Sequence, residues 1–446
     1  MLKKIVAILI TLAMVLSISL SAFAEDNGQP PESPSGQMEP PDGGNGQPPE
    51  MPDGNPPDGA PGGFGGGTPS GGGTADFTYT AVTEITEATE QAEQTYSSET
   101  ADESALIINT SDEVRITNPT VTKTGDSNVG DNCNFYGLNA GLLVMGGSIT
   151  TITGGIIETS ASGANGVFSY GGNGGRNGAE GDGTTVNISD TIITTTGDGS
   201  GGIMTTGGGI TNASNLTVTT SGRSSAAIRT DRGGGTVNVD GGSYTSNGLG
   251  SPAIYSTADI TVSDATLKAT NSEAVVIEGG NSVTLKNVDI TGSNGQLNGQ
   301  STHKTNVLIY QSMSGDASEG SSTFTMNGGT MTCETGSMFH VTNTTTTVNL
   351  NGVSFNYSAD SSVFLDATAD SWGASGSNGG NVTLNLTNQD ITGAIVADSA
   401  STVAVNLDGN STWTLGGDSY VTTFTGDLSR VNTNGYTLYV NGEAVA

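Results

Sequence analysis

Between Asn118 and Gly409 the chain repeats one pattern eleven times: apolar, any, apolar, any, then Asn, Asp or Gly, with an apolar residue three positions later. The punctuating residues are Asn118, Gly154, Asp190, Asn215, Gly241, Asp264, Asn287, Gly328, Gly352, Asn388 and Gly409. The columns two before and three after them are apolar at 21 of 22 positions, in a chain that is only 33% hydrophobic. Period-two alternation predicts strands with one face inward. Asn, Asp and Gly are the residues that tolerate a left-handed turn. A third strand is expected about 13 residues after each turn, with inward positions Leu142, Val167, Ile203, Ile228, Ile254, Val275, Leu308, Phe339, Phe364 and Ile395. No 3.6-residue period persists past residue 112. The predicted class is therefore all-β: a parallel β-helix of about 11 rungs, roughly 50 Å long at the spacing of neighbouring strands.

The segments before the repeat differ in kind. Residues 1–24 read as a secretory signal, with Lys3 and Lys4, an apolar run from Ile5 to Leu20, and the small-residue site Ala22-Phe23-Ala24. Residues 25–76 carry most of the prolines and lack the aliphatic residues needed for a core, which predicts a disordered acidic linker rich in Pro and Gly. Residues 77–112 are expected to cap the stack, because an uncapped solenoid presents an aggregation-prone edge. Within this cap, Glu84 to Gln94 is expected to make a short helix. The β-helix itself then occupies residues 113–446. Localisation is expected to be extracellular, secreted or loosely held at the cell surface, with no membrane span after signal cleavage.

The short Asn/Gly turn between the second and third strands resembles that of the right-handed parallel β-helix in the pectate-lyase-like superfamily. The resemblance covers residues 101–446. Phrases such as Ser225-Ala-Ala-Ile-Arg-Thr-Asp-Arg-Gly-Gly-Gly and Ser251-Pro-Ala-Ile-Tyr-Ser-Thr also resemble exported adhesin-type and carbohydrate-binding β-helix proteins of Gram-positive bacteria. The resemblance implies a substrate groove along the third-strand face, flanked by its loops.

Charge narrows the partners. Without the two signal lysines, 10 basic residues face 44 acidic ones, a net charge of −34. Such a field repels nucleic acid and anionic membranes. Cys133 and Cys333 are the only cysteines, and seven rungs at the strand spacing put them roughly 34 Å apart, which precludes a bridge.

The outward column beside the third-strand core is read as Leu143, Phe168, Met204, Arg229, Tyr255, Val276, Ile309, His340, Leu365 and Val396, with Asp231 and Glu278 two residues further on. So apolar an outer stripe needs a cover. That cover is either a ligand or the insertions at 125–137, 170–183, 292–305, 312–322 and 369–381. The candidate ligand-binding residues are Phe168, Arg229, Asp231, Arg232, Tyr255, Glu278 and His340: rings to stack on a sugar, polar groups for its edges. Arg229 and Asp231 share a face, so they either form an internal ion pair or hold a uronate or sialate carboxylate. The chain has no Asp-Asp pair and only two histidines, so hydrolytic and His-triad chemistry finds little material. The reading is a non-catalytic, adhesin-like protein that binds a polysaccharide or a host or cell-surface glycan. The alternatives are a polysaccharide lyase using Arg229 or Arg232, with calcium at Asp231 and Glu278, and a structural cell-surface spacer. No cofactor is required, though a Gly/Asp loop over 171–183 admits calcium, and no Cys/His cluster suggests zinc.

Overall fold

The computed structural model describes residues 77–173, 180–358 and 362–446. The signal segment and the linker lie outside the described residues, as does part of the Gly/Asp loop. The architecture is a parallel β-helix. One sheet stacks twelve parallel strands, from Ala81–Ile85 to Ala394–Val396. The two strands that flank each turn form a second sheet of nineteen strands, folded along the column of turns, except in the last rungs, where Asp390–Thr392, Thr412–Thr414 and Val431–Asn432 form a separate three-stranded sheet.

That column behaves as its residue types dictate. Ten of the eleven punctuating residues take positive φ, between 50° at Asn118 and 73° at Gly241. Several donate along the axis: Asn215 Nδ2 to Asp190 Oδ1 and Asn287 Nδ2 to Asp264 Oδ1, both at 2.6 Å. The exception is Gly409. Leu386 pairs with Leu407 and Ile391 with Trp413, so this last corner holds one extra residue. Trp413, not Thr412, is buried there, and Asp408 closes the wider corner by accepting from the Asn410 amide and the Ser411 hydroxyl.

The inward columns pack into one continuous core running the length of the stack. Its chemistry is the ordinary hydrophobic one, with methyl and ring stacks repeating rung by rung. Two register expectations are corrected. Val307 and Ile309 face inward and Leu308 outward, because Val307 pairs with Val275 and Phe339. At the next rung but one a bulge between Val363 and Leu365 puts both Phe364 and Leu365 in the core and sets Asp366 beside His340. The short helix expected over Glu84–Gln94 is absent: the strands Ala81–Ile85, Thr89–Ala92 and Thr95–Ser98 lie there instead. Parallel pairing with the next rung overrides the helical preference of Glu, Ala and Gln. Cys133 and Cys333 are both buried and no disulfide links them, and burial pushes the Cys133 thiol up to about 11.

Candidate functional site

The apolar stripe on the third-strand face is covered by the chain itself, in three successive patches. Over the first rungs the insertion at 125–137 folds a short helix, Asn132–Tyr136, whose C-cap Gly137 lies directly on Leu143 and Phe168, and these pack with Met204. Thr206 Oγ1 donates to the Phe135 carbonyl at 2.8 Å and Tyr79 Oη to the Tyr136 carbonyl at 3.1 Å, which pins the helix down. Phe168 is completely buried. It packs inside the covered stripe and presents no exposed ring face.

The middle patch holds the charged candidates. Arg229 and Asp231 form the internal ion pair, Nη2 to Oδ2 at 3.0 Å, with both side chains almost fully buried. Arg229 also donates to the Ser224 carbonyl and lies 5.9 Å over the Tyr255 ring. Burial raises the Asp231 carboxyl to about 7 against the pull of Arg229, and the charges of Asp316 and Glu278 add to the rise. Arg232 is half-buried. Its Nε bonds Asp316 Oδ1 at 2.7 Å and its guanidinium stacks 3.9 Å over Phe135. Glu278, buried, accepts from Tyr255 Oη, Ser312 Oγ and Tyr310 Oη, the last at 3.0 Å. Burial first, then Glu278, raises both tyrosines. The carboxylates of Asp231 and Glu278 are thus committed to internal donors, which accounts for them without a calcium ion.

Between the middle patch and the next lies an opening. Tyr255, Val276, Leu308, Tyr310 and Ala226 form a small apolar cluster, against which Trp372 packs with its ring 4.3 Å from that of Tyr310. Around them the polar groups of Arg229, Glu273, Asn298, Gln300 and Ser301 line a slot of about 40 Å³. Glu273 is held by Ser272 Oγ at 2.6 Å and Asn294 Nδ2 at 2.8 Å, and burial raises its carboxyl. Asn298, Gln300 and Ser301 come from the insertion at 292–305 and Trp372 from that at 369–381, so two insertions roof the slot.

The third patch brings together the only two histidines of the chain. His340 stands on the strand Ser337–Thr342 and is fully buried, while His303 reaches it from the 292–305 insertion. Their rings stack at 4.3 Å with 25° between planes. Two carboxylates flank the stack. Asp370 Oδ2 lies 3.3 Å from His303 Nδ1 and 3.4 Å from His340 Nε2. Asp366 lies on the opposite edge, 3.6 Å from His303 Nε2 and 3.7 Å from His340 Nδ1. Burial works to lower the His340 pKa, but the two aspartates outweigh it and raise it to about 9. Burial likewise works to raise Asp366, yet His340 and Thr368 bring it down to about 2, and Asp370 falls well below the usual carboxylate range.

Sequence reasoning placed His340 on this face but missed its neighbours. His303 sits in a Ser/Thr/Asn loop and the aspartates in another insertion, so only the fold unites them. The pairing of His340 with Asp366 across adjacent rungs was the available signal, hidden by the bulge at Val363/Leu365. No family model, no curated protein and no solved structure matches this chain.

Proposed function

We propose that this protein is an exported, non-catalytic β-helix that binds a glycan at the Tyr255/Tyr310/Trp372 slot. One observation carries the reading: a preformed opening with aromatic walls and convergent polar groups, roofed by two loops of an otherwise self-covered face. Binding sites of small ligands have this mixed lining. Ring faces of Trp and Tyr suit the apolar side of a sugar, and Asn298, Gln300, Ser301 and Glu273 suit its hydroxyls.

The slot's size limits what enters. Space of about 40 Å³ takes little more than one water-sized group, so it admits only the tip of a protruding substituent, such as the methyl of an acetamido group. The remainder of the sugar would lie outside, across the loops. The leader-like N-terminus supports an extracellular setting, and the β-helix with loops across its third-strand face supports a pectate-lyase-like scaffold used for binding. A lyase role finds less support, since Arg229 is enclosed and paired with Asp231. The test is a glycan array probed with the wild-type protein and with Trp372→Ala. Retention of N-acetylated sugars by the wild type and their loss in the variant supports the reading. A silent array for the wild type, or equal binding by both, rules the slot out.

A further inference from the structure

We propose that His303, His340 and Asp370 form a binding site for a divalent transition-metal ion of the zinc type, with Asp366 as its outer partner. Each of the three offers one ligand atom, and these atoms all lie within 4.8 Å of one another. The two distances from Asp370 Oδ2 to the imidazoles, 3.3 and 3.4 Å, match the edge of a tetrahedron. For metal–ligand bonds of about 2.0–2.1 Å that edge is about 3.3 Å.

Three further observations support a built site. The fully buried Nε2 of His340 forms no hydrogen bond of ordinary geometry, and its 3.4 Å approach to Asp370 Oδ2 is an ionic contact only, though a wholly enclosed ring nitrogen ordinarily has a hydrogen-bond partner. Asp370 is held in place by Ser301 Oγ at 2.6 Å, Thr302 Oγ1 at 2.7 Å and the Thr302 amide. Asp366 addresses the far nitrogens of both rings, and its carbonyl oxygen lies 3.2 Å from His340 Nδ1. A carboxylate or carbonyl behind a ligating imidazole fixes the ring's orientation and tautomer.

The donor set selects the ion. Two imidazoles with one carboxylate suit zinc and its neighbours, whereas calcium requires six or more oxygens. The stacked rings must open for both nitrogens to point at one ion. His303 can supply that movement, because its side chain is 31% exposed and carried by a loop, while His340 is locked in the sheet. Three protein ligands leave a fourth position for water. The ion would tie the 292–305 and 369–381 insertions to the strand Ser337–Thr342, and so fix both roofs of the neighbouring slot.

The experiment uses the full mature chain, stripped with EDTA, desalted and titrated with Zn²⁺ and separately with Ca²⁺ by calorimetry. One Zn²⁺ per chain is expected, with a higher thermal midpoint for the zinc-loaded protein. His303→Ala, which changes a partly exposed loop residue, should abolish that binding, and Asp366→Asn should weaken it about 10- to 100-fold. Circular dichroism of the metal-free variants checks that they keep the β-helix. Failure of the wild type to bind Zn²⁺, unchanged affinity in a folded His303→Ala, or a preference for Ca²⁺ would each overturn the assignment. None of these readouts involves a glycan, so they stand apart from the test of the slot.

Discussion

His303 and His340 stack face to face at 4.3 Å, and each ring touches the same two carboxylates, Asp366 and Asp370. The stack is the point at which two loops meet the sheet. Removing its buried half leaves Asp370, whose side chain is fully enclosed, without its inner partner. His340→Ala should therefore destabilise the metal-free protein by about 3 kcal/mol, as expected for breaking a buried charged contact. Urea unfolding of the wild type and the variant measures it, and a difference under about 1 kcal/mol would show that the carboxylates are not relying on the ring.

Phe168 separates a packed stripe from a binding stripe. It lies beneath Gly137, the C-cap of the Asn132–Tyr136 helix, and packs with Leu143 and Met204. Phe168→Ala should cost about 3–5 kcal/mol, the range for emptying a core aromatic site. A ligand platform would lose affinity with little change in stability, so thermal unfolding distinguishes the two.

Asp231 gives the protein a signed pH response. Its folded pKa of about 7 stands above the ordinary value of about 3.9 for an aspartate. A raised carboxyl contributes stability that is fully present below its ordinary pKa and is lost as pH rises through the folded one. The wild type should therefore lose more thermal stability between pH 5 and 8 than Asp231→Asn, which keeps the shape and removes the titration. Parallel melting profiles across that window would mean that Arg229 keeps the carboxylate charged.

At the turn column, conformation outweighs hydrogen bonding. Asn287 holds φ at 52° and donates to Asp264 from an exposed position. Asn287→Ala should cost about 1–2 kcal/mol through left-handed strain. Asn287→Gly removes the same bond but not the conformational freedom, and should cost less. Equal losses would mean that the side-chain ladder, not the backbone, sets the corner.

The fold was legible because its signal repeats. Each turn residue announced a left-handed corner, and its flanking apolar pair announced the inward face. Legibility failed where that contrast vanishes. Val307, Leu308, Ile309 and Tyr310 are all buried, since a loop covers the outer side of this strand, and a strand covered on both faces shows no alternation. The register slipped by one at that point. The site was less legible still. Arg229, Asp231, Arg232, Tyr255, Glu278 and His340 fell on the predicted face, but the partners Asp316 of Arg232, Ser312 of Glu278, Trp372 of the Tyr255 cluster and Asp370 of His340 come from insertions with no period. Asp366 belongs to the bulged strand Val363–Asp366, where the repeat is irregular.

The extra residue at the Asp408 corner shows how the stack handles changes in length. In most folds, inserting one residue into a strand sends every later side chain to the wrong face. Here Leu407 and Trp413 both reach the core, and the surplus is spent within a single bend. Each rung re-registers on the one before it, so an insertion is a local event with no downstream frame. Surface loops on such a chain are free to lengthen and diversify, one at a time, while the column beneath them stays the same.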